Sequence, residues 1–198
     1  MENWFAELPE GYREEKVIDA KSGKTAFVLT LLSFVLTAMP LVPVLILSGG
    51  IRNMVESYGR SSAMLAVAVL LVGMVSYIVL HELVHGAVYK ALTHRKLTFG
   101  FTLTVAFCGV PDIYTSRRTA LEATAAPFVV FTLVLIPLTL VMYNVSRLYF
   151  LVSGFLFSLH FGGCVGDLYL IILLLFRYRN PRTLMNDTGP RQTIYLPE

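Results

Sequence analysis

Charge is the first thing this sequence lacks: Asp, Glu, Lys and Arg make up 15% of its 198 residues, against roughly a quarter in a soluble globular domain. Beside a hydrophobic content of 56%, that scarcity excludes an ordinary water-soluble fold and makes membrane insertion the first reading. Cysteine is equally sparse. Cys108 and Cys164 stand in different segments without CxxC spacing, and both read as buried thiols acting as small apolar residues. A strong net charge is missing too, and +3 leaves no footprint for nucleic acid. Repeats and low-complexity tracts are absent. The first 24 residues mix acids and bases with no basic stretch leading into an apolar core, so no cleaved signal peptide is expected.

What the chain has in abundance is long apolar runs. Four stand out, at about 25–48, 61–92, 119–143 and 148–176. Each is long enough to cross a ~30 Å hydrocarbon core, which needs about 20 helical residues. Pro40 and Pro43 are expected to kink or break the first. Thirteen of the sixteen Lys and Arg residues fall in the N-terminal segment, the loop between the second and third runs, and the C-terminal tail. Basic residues mark the cytoplasmic side, so both termini and the central loop are expected there, in a multi-pass protein of the cell membrane. The domain reading follows: a cytoplasmic segment at 1–24, an integral membrane domain at 25–178, and a cytoplasmic tail at 179–198.

The central loop has its own pattern. From Lys96 to Phe107 apolar residues alternate without a slip: Leu97, Phe99, Phe101, Leu103, Val105, Phe107. Period two with Thr and Phe enrichment predicts a strand. Gly109-Val110-Pro111-Asp112 reads as a turn, with a short return strand at 113–115. The fold class is therefore an all-α transmembrane bundle of about four helices, with a small membrane-associated β-hairpin at about 96–115 between the second and third.

Chemistry concentrates in the second run, at His81-Glu82-Leu83-Val84-His85. Residues i and i+4 lie above one another on a helix, so both imidazoles can reach one ion, as zinc with open positions requires. Glu82 lies about 100° around the helix from His81. It is poorly placed as an equivalent ligand and well placed as a general base. Ionisable residues at membrane depth usually mark a functional site.

Such a site needs a third protein ligand, and Asp167, Glu122 and Asp112 compete. At 1.5 Å per residue, Asp167 lies roughly 15 Å in from Arg177, close to the depth of His81, while Glu122 is only about 6 Å from Arg118. Asp167 also follows three glycines in an apolar setting that offers it no solvent, so it is the choice and Glu122 the alternative. Glu122 can instead be solvated or pair with Arg118. His160 shares a helix face with Asp167 about 10 Å away. It is read as a buried, hydrogen-bonded histidine with a possible supporting role behind the ligands. His94 is an interfacial residue.

These residues carry a family resemblance. The chain resembles the DUF3267 group of zincin peptidases, small integral membrane proteins with a His-Glu-Leu-x-His-Gly signature, here His81–Gly86. The similarity extends to Pro9–Tyr12, Thr98–Phe101, Ala126-Pro127-Phe128 and Gly166-Asp167-Leu168. That group in turn is similar to site-2-type intramembrane proteases, which place HExxH on one transmembrane helix and a ligand aspartate on a later one, with a hairpin between. The resemblance implies one zinc ion on His81, His85 and Asp167, with Glu82 as general base. The Asn-Pro-Asp-Gly form of the aspartate motif and a PDZ-like insertion are both missing here.

The functional expectation is an intramembrane zinc metallopeptidase acting on peptide or transmembrane protein substrates. The edge marked by Leu97, Phe99, Phe101 and Leu103 would receive the substrate strand. Three rivals remain: a catalytically silent zinc scaffold, a metal transporter using His160, and a gluzincin-type enzyme with Glu122 as ligand.

Overall fold

A computed structural model describes residues 2–19, 22–101 and 106–198. In chain order the described elements are β1 (Trp4–Phe5), β2 (Tyr12–Asp19), α1 (Gly23–Ser48), α2 (Gly50–Thr93), β3 (Thr98–Phe101), β4 (Ala106–Ser116), α3 (Arg117–Val145), α4 (Arg147–Gly163), α5 (Val165–Ile172), β5 (Leu184–Asp187) and β6 (Arg191–Pro197). Three helices are long and apolar enough to cross a membrane, and a fourth span results if α4 and α5 count as one broken helix.

Five helices replace the expected four or so, because the last apolar run is interrupted at Cys164. The Cys164 backbone N–H turns back to the carbonyls of His160 and Gly162, and the glycines on either side favour helix least. A π-helical turn, Leu173–Arg177, then closes α5. The Arg117 guanidinium donates to the Leu174 and Tyr178 carbonyls, satisfying acceptors that a helix end leaves open. Helix α1 is continuous through Pro40 and Pro43, with no break there. Helix α2 is two helices meeting at Gly59, whose φ of 78° only glycine adopts readily, and the part beyond that break starts close to where the second run was expected.

The chain divides into two compact units. The first comprises Met1–Leu29, Val79–Pro127 and Gly166–Glu198. It holds a six-stranded sheet in the order β1-β4-β5-β6-β2, with β3 paired to β4. The hairpin is thus one part of a larger antiparallel sheet, to which both the N-terminal segment and the C-terminal tail contribute. The run read as one strand from 96 to 107 is two strands, with Phe101 opposite Ala106; alternation alone cannot distinguish a straight strand from a folded one. Leu103 lies outside the described residues. Residues 109–112, expected to turn, continue as strand β4. The register there slips between Val110 and Thr115. The Asn186 side chain donates to the Pro111 and Ile113 carbonyls, satisfying acceptors that the slipped register leaves outside the ladder.

Two apolar clusters anchor this sheet. Ile18, Met185 and Ile194 pack with Ala120, Leu170, Leu174 and Tyr178, so strands from both ends of the sequence rest on α3 and α5. Val110 and Ile113 pack with Tyr89 and Ala123, joined by Trp4, Val88 and Leu97. Asn3 ties three elements together: its carbonyl accepts from Ser116 N–H and the Thr119 hydroxyl, and its amide donates to Leu92 at the end of α2.

The second unit, Thr30–Ile78 and Phe128–Val165, is helical. Glycines let its helices approach closely, as in membrane interfaces: a Cβ on Gly154 would strike Val44, and one on Gly162 would strike Thr37 and Ser33. Its outward faces are apolar, with Phe34 69% and Leu133 70% exposed.

Candidate metal centre

Helix α2 carries His81 and His85 one turn apart, both buried. Their rings meet edge to face, 4.9 Å between centroids. The first residues of α5 bring Asp167 to them. His81 Nε2 lies 3.1 Å and His85 Nε2 3.4 Å from Asp167 Oδ2, and the two ring nitrogens are 3.2 Å apart. Among the described residues no other group of three His, Cys, Asp or Glu ligand atoms converges in this way.

Nδ1 of His85 is 2.8 Å from the Ala123 carbonyl, which can only accept, so Nδ1 carries a proton and Nε2 is the nitrogen left to bind a cation. Two ring nitrogens and a carboxylate oxygen then face one another, and a cation is what such a donor set lacks. The spacing fits one. Ligands about 2.0–2.1 Å from a tetrahedral zinc stand about 3.3 Å from each other, and the three separations here run from 3.1 to 3.4 Å.

Glu82 is half-buried beside this set. Gly86 explains how the hairpin comes so near: a Cβ there would lie 2.7 Å from Phe99 Cζ and 3.2 Å from Leu97 Cδ1. The signature glycine therefore makes room for β3 on the motif helix. Phe101 is 75% exposed.

The other candidates lie elsewhere. Glu122 pairs with Arg118 at 2.6 Å on the exposed side of α3, and Asp112 is exposed in β4. His94 is exposed at the end of α2 with a positive φ of 55°. His160 belongs to the second unit. It is fully buried, with Nδ1 3.0 Å from the Tyr77 hydroxyl and Nε2 3.0 Å from the Thr132 hydroxyl, and its ring stacks on Phe128 at 5.5 Å. Of the glycines before Asp167, Gly162 is in close contact, whereas Gly166 faces open space.

Sequence reasoning missed two residues beside the centre. Tyr89, four residues after His85, donates its hydroxyl to Asp187 at 2.7 Å. Burial pushes the Asp187 carboxyl up to about 6. It also pushes the Cys108 thiol up to about 12. The i, i+4, i+8 stripe of His81, His85 and Tyr89 was a readable signal for the first; nothing in the polar tail marked Asp187.

An HExxH helix whose imidazoles converge with a carboxylate from a later helix is the arrangement of the zincin class of metal-dependent peptidases. The model of the DUF3267 family, described as "Putative zincin peptidase", matches residues 74–181, and the chain belongs to that family. Neither the curated proteins nor the solved structures contain a match to it.

Proposed function

We propose that this protein is an intramembrane zinc metallopeptidase that hydrolyses peptide bonds of membrane or membrane-associated substrates, in the manner of site-2-type proteases. The observation that carries the reading is the convergence of His81 Nε2, His85 Nε2 and Asp167 Oδ2 at zinc-compatible spacing with Glu82 beside them.

Bound zinc would supply Lewis acidity toward a carbonyl oxygen and lower the pKa of a coordinated water toward roughly 7. The remaining work falls to the protein. Glu82 accepts the proton of the attacking water at its carboxylate and returns it to the departing amine. The Ala123 carbonyl fixes the tautomer and orientation of the His85 ring. Asp167 brings the negative charge that two neutral imidazoles lack. Among the described residues β3 pairs with β4 alone, and its other edge, with Phe99 and Phe101 exposed, suits addition of an extended substrate strand.

Membrane placement rests on the apolar helices and their exposed faces. The sheet adds an argument on topology. The three segments that hold most of the basic residues are hydrogen-bonded into one sheet, which supports a common side for them, and their positive charge supports the cytoplasmic side. Against the transporter reading, both His160 nitrogens already have hydroxyl partners. Against a silent scaffold stands Glu82, which a structural zinc site does not need.

Glu82→Gln separates binding from chemistry. In proteoliposomes it should keep one zinc per chain while cleavage of transmembrane reporter peptides falls several hundredfold, within the usual range of about 10²–10⁴ for a lost acid–base group. Full activity in that variant removes Glu82 from the mechanism.

A further inference from the structure

One turn beyond the second imidazole, a carboxylate from the C-terminal strands meets the motif helix. Tyr89 shares the stripe of His81 and His85 on α2, and its hydroxyl donates to Asp187 Oδ2 at 2.7 Å. Asp187 Oδ1 accepts the Gly189 backbone N–H at 2.8 Å. Tyr89 is 1% and Asp187 4% exposed. A carboxylate so placed costs more to bury than an apolar residue of its size, which calls for a reason beyond packing.

The reason lies in what Asp187 connects. It stands opposite Val110 in the β4–β5 ladder. Two residues before Val110, Cys108 pairs with Phe99 of β3, whose ring lies against Gly86 of the motif helix. The turn after Asp187 is moulded onto the same stretch of β4: Gly189 sits at φ +96°, a Cβ on it would strike the Phe107 ring, and a Cβ on Gly109 would strike the Gly189 backbone. Tyr89 and Asp187 thus tie α2 to the strands that lie on it, one turn from His85.

We infer that Asp187 is a positioning residue: through Tyr89 it clamps strand β4, and with it β3, to the motif helix at Gly86. The inference rests on the reading of that helix as the catalytic one. It also gives the C-terminal strands, which lie beyond the residues matched by the family model, a part in the site.

Cys108 reports on the clamp directly, since it lies in β4 and is 6% exposed, while Cys164 in the other unit is fully buried and serves as an internal control. Full-length Asp187→Ala, Asp187→Asn and Tyr89→Phe proteins are treated with N-ethylmaleimide, and each cysteine is followed by peptide mass mapping. The expected result is a rise of at least tenfold in Cys108 labelling for Asp187→Ala and Tyr89→Phe. Asp187→Asn, which keeps an acceptor for Tyr89, should rise less. Cys164 labelling and zinc content should stay at wild-type levels, and kcat/KM should fall about tenfold. Unchanged Cys108 labelling, or equal acceleration at both cysteines, overturns the clamp. If the wild-type protein cleaves nothing, the peptidase reading fails, yet the labelling still decides whether Asp187 holds β4 to α2.

Discussion

Each unit of this molecule buries histidine among helices, and the two solve the resulting problem in opposite ways. In the helical unit, His160 meets two hydroxyls, Tyr77 and Thr132. A hydroxyl can donate or accept, so protons alone complete the network. In the sheet-bearing unit, His81 and His85 face each other and Asp167, and His85 has already spent its proton on Ala123. That set has a surplus of lone pairs, which only a cation or added protons can satisfy. The surplus, more than the burial or the histidine count, distinguishes a metal centre from a polar core.

The largest test of this contrast is zinc affinity. Zinc sites in small domains draw roughly 10–16 kcal/mol from their ligands together, so loss of one ligand should cost on the order of a thousandfold in affinity. His85→Ala and Asp167→Ala should show that loss by competition with a chelating dye. His160→Ala and Glu122→Ala should bind like wild type. A large loss in Glu122→Ala moves the third ligand to α3.

Next in size is the pH response of Asp187. Its carboxyl, raised by burial from an ordinary 3.8 to about 6, holds its proton more tightly folded than unfolded. The stability it contributes is complete below pH 3.8 and is lost as pH rises through 6, about 3 kcal/mol over that window. Unfolding of zinc-free protein in mixed micelles, compared between wild type and Asp187→Asn from pH 3.5 to 7, should show the gap between the two changing by about that amount. A constant gap contradicts it.

The smallest effect belongs to the second unit. Thr132→Val removes the hydroxyl 3.0 Å from His160 Nε2 and should cost about 1–3 kcal/mol in stability with no change in bound zinc. A drop in zinc content there would mean that the two histidine sites are not the separate cases described.

How much of this was legible in the sequence varies by residue. The grouping of His81, His85 and Asp167 was, because the two histidines obey a helical period in an apolar run and Asp167 had nowhere to hide a charge. The long apolar helices were legible from the same runs, the breaks at Gly59 and Cys164 apart. The sheet was not. Strands β1, β2, β5 and β6 lie at opposite ends of the chain, and their pairing depends on contacts such as Ile18 with Ile194 that no local pattern encodes. Pro111 and Gly109 signalled a turn by composition, yet Asn186, far along the chain, supplies the hydrogen bonds that keep the segment a strand. The break at Cys164 was half visible in its glycines and was passed over because hydropathy continues across it.

Zinc K-edge X-ray absorption on the purified full-length protein tests the central claim most directly. One zinc per chain should appear, with a first shell of nitrogen and oxygen at about 2.0–2.1 Å, two imidazole scattering patterns, and no sulfur. A shell at about 2.3 Å from thiolate, or protein that takes up no stoichiometric zinc, would contradict the assignment of His81, His85 and Asp167 as the metal ligands.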